Sequence, residues 1–118
     1  MEEKIRKAFE FANFMATLNS QKRILKEEYQ QKLVFYENGG TFTASKEFIN
    51  FLKVLLDLGH VQNVVVIDDN NTPILISDLK VFFDNILSCY YEAVNEYYTK
   101  YNLLTKKRTI ENLVDLDD

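Results

Sequence analysis

Tryptophan is missing from this 118-residue chain, and several other residues are scarce: one cysteine, one histidine, one proline and three glycines. A lone cysteine, Cys89, excludes an intramolecular disulfide. It fits a reducing cytoplasm better than a secretory route. One histidine, His60, leaves little from which to build a nucleophile, a base and an orienting group. So few turn-formers argue against an all-β fold. Gly39-Gly40 and the isolated Gly59 match no phosphate-cradling loop. No run approaches 18 apolar residues, so no membrane-spanning helix is expected. The N-terminus opens Met-Glu-Glu, and Glu10, Asn13 and Thr17 interrupt its first apolar stretch, so no signal peptide is expected either. A formal net charge of −4 makes nucleic acid or an anionic lipid surface an unfavoured partner.

What is present is enough to build a core: 47% of the residues are hydrophobic and 14% aromatic. The length argues for a single domain, residues 1–108, followed by a loosely held acidic tail, 109–118. Ile5, Ala8, Phe9, Ala12, Met15, Ala16 and Leu18 recur at three-to-four spacing, and Leu25, Tyr29, Leu33 and Tyr36 continue the rhythm. This predicts a helix from about Glu2 to Asn38, stopped by Gly39-Gly40. Phe11, Phe14 and Leu18 add a second apolar stripe, which predicts burial on more than one side.

A rival reading makes 32–36 a strand and Glu37-Asn38-Gly39-Gly40 a hairpin turn. Residues 33–41 would then echo residues 64–72, giving two strand–turn–strand–helix units. The helix is preferred because Lys22 to Tyr36 keeps its periodicity and uses good helix formers.

Ser45 caps a second helix, in which Phe48, Ile49, Phe51, Leu52, Leu55, Leu56 and Leu58 are apolar nearly all round. It is expected to be the central, most buried helix, ended by Gly59. Asn63–Ile67 and Pro73–Ile76 flank an Asp/Asn-rich turn and read as a β-hairpin. Ser77 and Asp78 open a last helix reaching about Lys106. There Leu79, Ile86 and Ala93 recur at seven, as do Phe83, Tyr90, Tyr97 and Leu104, a heptad seam. The expected fold is α+β and mostly α, with two long helices and one buried helix packed with a small antiparallel hairpin. Each long helix would measure about 45–55 Å, so an elongated molecule with long apolar faces is expected.

Chemistry is thinly represented. His60 follows a helix stop and reads as a loop histidine, and Cys89 reads as a small core residue. A small-molecule binder or enzyme built near His60 and Cys89 remains an alternative. Asp68, Asp69, Asn70 and Asn71 lack the spacing, glycine and glutamate of a calcium loop. No catalytic set, metal site or cofactor is implied. Lys106, Lys107 and Arg108, beside a tyrosine cluster, could contact phosphate, which gives a second alternative: a regulatory domain docking on nucleic acid or on a nucleic-acid enzyme. Five tyrosines fall between Tyr90 and Tyr101. Tyrosine is enriched in protein–protein hot spots. The leading expectation is therefore a non-enzymatic interaction or assembly protein. It would form a homodimer, or bind another protein, through Phe11, Phe14 and Leu18 on the first helix and Tyr90, Tyr97 and Tyr101 on the last.

The stretches Glu37-Asn38-Gly39-Gly40-Thr41-Phe42, Asp68-Asp69-Asn70-Asn71-Thr72-Pro73 and Asn95-Glu96-Tyr97-Tyr98 through Lys106-Lys107-Arg108 resemble small uncharacterised proteins of large contractile-tailed bacteriophages. The resemblance implies a host-cytoplasm location and a virion-assembly or accessory role. It implies no activity and no site residues.

Overall fold

The computed structural model describes the backbone of residues 2–117 and the side chains of residues 2–106. The elements run α1 (Glu2–Lys32), β1 (Val34–Glu37), β2 (Gly40–Thr43), α2 (Lys46–Asp57), β3 (Gln62–Ile67), β4 (Pro73–Asp78) and α3 (Leu79–Asp117). The fold is α+β and mostly α, with two small antiparallel sheets of two strands each. The chain forms two compact units. One is Tyr29–Asn95, and the other joins Met1–Glu28 with Glu96–Asp118.

Within Tyr29–Asn95 the preferred helical reading of 32–36 is overturned. Helix α1 ends at Lys32, and β1 pairs with β2 in the register Phe35↔Phe42 and Glu37↔Gly40. The turn decides it. Asn38 (φ 49°) and Gly39 (φ 80°) both take the left-handed conformation. Two such residues make the hairpin turn whose twist matches that of the flanking strands. Val34, Phe35 and Tyr36 are strand-formers, and Phe35 gains an edge-to-face contact with Phe82 at 6.1 Å. Tyr36, which had seemed to continue the helical rhythm, points to solvent.

The second hairpin pairs Val66 with Ile74 and Ile67 with Pro73. Pro73 opens β4, where its missing N–H costs least. Each hairpin feeds a helix, so the echo between 33–41 and 64–72 corresponds to two hairpin–helix units. Asp68 and Asp69 tie the units together. Asp68 is buried, and its Oδ1 accepts the N–H groups of Asn70 (2.9 Å) and Thr72 (2.8 Å). Its Oδ2 accepts the Thr41 N–H of the first hairpin at 3.0 Å. The Asp69 N–H donates to the Thr41 carbonyl at 2.8 Å, and the Thr43 hydroxyl donates to the Asp69 carboxylate at 2.6 Å. Gly40 completes the joint. A Cβ there would lie 2.7 Å from Ile74 Cγ1, so only glycine lets the second hairpin pack this closely on the first.

The core of this unit is aromatic at its centre. Phe42 meets Phe82 edge-on at 5.0 Å and stacks on Phe48 at 5.6 Å. Leu52, Ile76, Leu79 and Ile86 close around them, fully buried. Leu79, Phe82, Ile86 and Ala93 form the buried stripe of α3, in keeping with the heptad seam.

Helix α2 departs from expectation. Ser45 Oγ accepts the Phe48 N–H at 3.1 Å, as a cap should. The helix closes with His60 N–H on the Leu55 carbonyl and Gly59 N–H on the Leu56 carbonyl, Gly59 being left-handed at φ +90°. It is not the most buried helix, however. Leu52 is its buried residue, while Phe51, Val54 and Leu58 are exposed. Two short hairpins and α3 cover one face of a helix and leave the rest to solvent. At its far end, α3 stays helical to Asp117, through the segment read as a tail.

Candidate functional site

The described side chains are poor in reactive arrangements. No group of three or more His, Cys, Asp or Glu among them is disposed to hold a metal ion. His60 is exposed, and its backbone serves the α2 cap. Cys89 is half-buried, and its Sγ–H donates to the Lys32 carbonyl at 3.2 Å. Burial first, then the charge of Glu92, pushes its thiol above the ordinary value, so it stays protonated and weakly nucleophilic. A groove of about 310 Å³ exists elsewhere, in the other unit. Gln21, Ile24 and Leu25 of α1 and Lys100, Leu103 and Leu104 of α3 line it. Lys100 is committed there to Glu96 (2.9 Å) and Glu28 (3.5 Å). The hydrogen bond to Glu96, followed by the charges of Glu96 and Glu28, holds its ammonium above the usual lysine value.

What the molecule does present is apolar helix surface. Helix α1 carries two apolar stripes that differ in exposure. Of the expected interface residues, Phe11 is exposed, Phe14 half-buried and Leu18 buried. The half-buried Leu25 continues this inward stripe. The more exposed stripe is the other one. Ile5 is 53% exposed and Phe9 65%. Ala8, Ala12, Met15 and Ala16 are exposed with them. At about 3.6 residues per turn, positions 5, 8, 9, 12, 15 and 16 share one face.

The tyrosines also divide. Tyr90 is half-buried against the core of Tyr29–Asn95. Tyr97 and Tyr101 are half-buried in the other unit, their rings edge-to-face at 6.1 Å, with the Lys22 ammonium 5.4 Å from the Tyr101 ring. Tyr91 and Tyr98, which the sequence reading did not select, are the outward ones. Lys106 is exposed, and the side chains of Lys107 and Arg108 lie outside the described residues. The missed surface residues had a signal. Alanines at 8, 12 and 16 recur at every turn of one face, a spacing that suits a close helix–helix approach.

No protein family, no curated protein and no solved structure matches the chain. Among the described residues no helix is long and apolar enough to cross a membrane.

Proposed function

We propose that this protein is a non-enzymatic assembly component that self-associates through the outward stripe of α1, acting in the cytoplasm. The observation that carries the reading is the exposure of Ile5, Phe9 and Met15 on one helix face, interleaved with Ala8, Ala12 and Ala16. Such a seam repeats at three and four residues, the pattern that lets one helix seat knobs between the residues of another. Alanine at every turn permits a close approach, while Ile5, Phe9 and Met15 supply the apolar area that association removes from water. The same stripe left in water would be an aggregation liability, so a partner helix is the economical reading. The phage-like sequence character supports an assembly or accessory role.

The test is absolute mass by light scattering across a dilution series. The unmodified chain should run above the monomer mass and fall toward it on dilution. Phe9→Asp sets a carboxylate in the seam and should yield monomer with an unchanged helical circular dichroism spectrum, because Phe9 is 65% exposed within the chain. A mass unaffected by Phe9→Asp would remove α1 from the interface.

A further inference from the structure

Strand β3 uses one side of its backbone. It pairs with β4 alone, in a two-stranded sheet. Two hydrogen bonds fix which groups face β4. The Asp68 N–H donates to the Thr72 carbonyl, and the Asn38 side-chain amide donates to the Leu75 carbonyl, both at 2.9 Å. Asp68 with Thr72 is thus a bonded position of the ladder, and the Leu75 carbonyl faces away from β3. Bonded and non-bonded pairs alternate along an antiparallel ladder. Val66 with Ile74 and Val64 with Ile76 are therefore the bonded pairs, and the N–H and C=O groups of Val65 and Ile67 point to the open edge. Among the described residues nothing hydrogen-bonds to these four groups. Val65 is 59% exposed and Ile67 56%. From Val61 to Ile67 the chain has neither a charged residue nor a proline, the devices that commonly block an open edge.

We propose that a second copy of this chain pairs with this edge, β3 against β3, antiparallel about a two-fold axis at Val66, independently of the α1 seam. The open backbone groups call for an extended strand, and β3 itself carries a matching set. With Val66 beside Val66 on the axis, Val65 of each copy lies opposite Ile67 of the other and exchanges both N–H···O=C bonds with it. Every group left open in both copies is then satisfied, and the two-fold closes the pair. A register with Val65 on the axis would set Ile67 against Asn63, whose left-handed backbone (φ 54°) departs from the strand. Charge agrees with the same register. Asp69 of each copy falls opposite Asn63 of the other, whereas a parallel pair in register would set Asp69 beside Asp69, and like charges directly opposite are destabilising. On the outer face Val65 meets Ile67 twice, as β-branched cross-strand pairs. The result is one four-stranded sheet in the order β4–β3–β3–β4. The contact is small and belongs to the weak class of interfaces.

Charges placed at Val65 and Ile67 test the edge, the direction and the register together. Both residues are exposed, so each variant should keep the parent's circular dichroism spectrum. Sedimentation is followed on full-length chains also carrying Phe9→Asp, in a series reaching about 1 mM, where even an upper-micromolar dissociation constant is populated. The parent should dimerise. Val65→Lys with Ile67→Lys sets lysine opposite lysine twice across the axis and should weaken pairing at least about tenfold. Val65→Lys with Ile67→Glu sets lysine opposite glutamate twice and should pair within about threefold of the parent. Amide hydrogen exchange, followed by NMR on the parent, should slow with rising concentration at Val65 and Ile67 more than at Val64 and Val66. A Lys–Glu chain that pairs as weakly as the Lys–Lys chain overturns this register. A parent that stays monomeric throughout, with fast exchange at Val65 and Ile67, overturns the pairing and leaves the edge to an extended segment of another protein. The α1 reading fails separately, by Phe9→Asp leaving the mass of the otherwise unmodified chain unchanged.

Discussion

Residues 29–95 and the helical unit built from residues 2–28 and 96–117 spend their apolar residues differently. In the first, Phe42, Leu52, Phe82 and Ile86 are sealed from water by two hairpins and two helices. In the second, Leu18 is buried, while Ile5, Phe9 and Phe11 stay exposed on the same helix. A sheet with a helix across it closes a core because its inward side chains alternate with outward ones and meet a facing layer. A pair of helices has no such second layer, and a helix with two apolar stripes can bury one of them. The best-sealed core of the protein therefore lies in 29–95, and most of its exposed large apolar side chains lie on helix faces.

The sharpest way to break that comparison is at Phe82, which touches Phe35, Phe42 and Phe48. Phe82→Ala leaves a cavity at the centre of the core and should cost about 3–5 kcal/mol in denaturant unfolding. Phe9→Ala removes an equal side chain from exposed surface and should leave monomer stability within about 0.5 kcal/mol. Similar losses at the two positions would mean that the two units share one core.

Much of the fold was legible because local signals agreed. Ser45, Gly59 and the apolar run between them specified α2, and Pro73 with the preceding Asp/Asn cluster specified the second hairpin. The first hairpin was harder. Leu33 and Tyr36 kept helical spacing, and what outweighed it is partly the turn at Asn38 and Gly39 and partly non-local, the contact of Phe35 with Phe82 far along the chain. The choice of stripe on α1 was harder still. Ile5-Ala8-Phe9-Ala12 and Phe11-Phe14-Leu18 are both apolar at helical spacing, and the pattern fixes the helix without saying which face meets the rest of the protein. The joint at Asp68 was illegible as a joint, since an Asp/Asn-rich turn reads the same whether or not its carboxylate reaches another hairpin.

That joint supplies a smaller effect, confined to residues 29–95 and dependent on pH. The Thr41 N–H first, then those of Thr72 and Asn70, hold the Asp68 carboxyl below its ordinary value, outweighing the opposing effect of burial. A carboxyl with a lowered folded pKa binds its proton more readily in the unfolded chain. Its contribution is complete above the ordinary aspartate value of about 4 and is lost as pH falls through the lowered folded value. Thermal unfolding between neutral and acid pH should show this as a falling midpoint, and Asp68→Asn should flatten the fall while lowering the midpoint at pH 7. An acid limb as steep in Asp68→Asn as in the parent would assign the effect to other carboxylates.

The smallest effect belongs to α1 itself. Arg6 lies 3.8 Å from Glu10 and Arg23 lies 3.9 Å from Glu27, both pairs well exposed. In each the cation precedes the acid by four residues, the less favourable order with respect to the helix dipole. Screening and side-chain entropy reduce such pairs further. Arg6→Ala with Arg23→Ala should therefore change stability by less than about 1 kcal/mol in total, and added salt should change it little. Circular dichroism melts of the Phe9→Asp monomer, with and without the arginine changes, would measure this apart from association. A much larger loss would mean that α1 is held by its ion pairs, and its inward stripe through Phe14, Leu18 and Leu25 would no longer account for the helix. A small one leaves the apolar stripes as the features that decide both how α1 packs and what it joins.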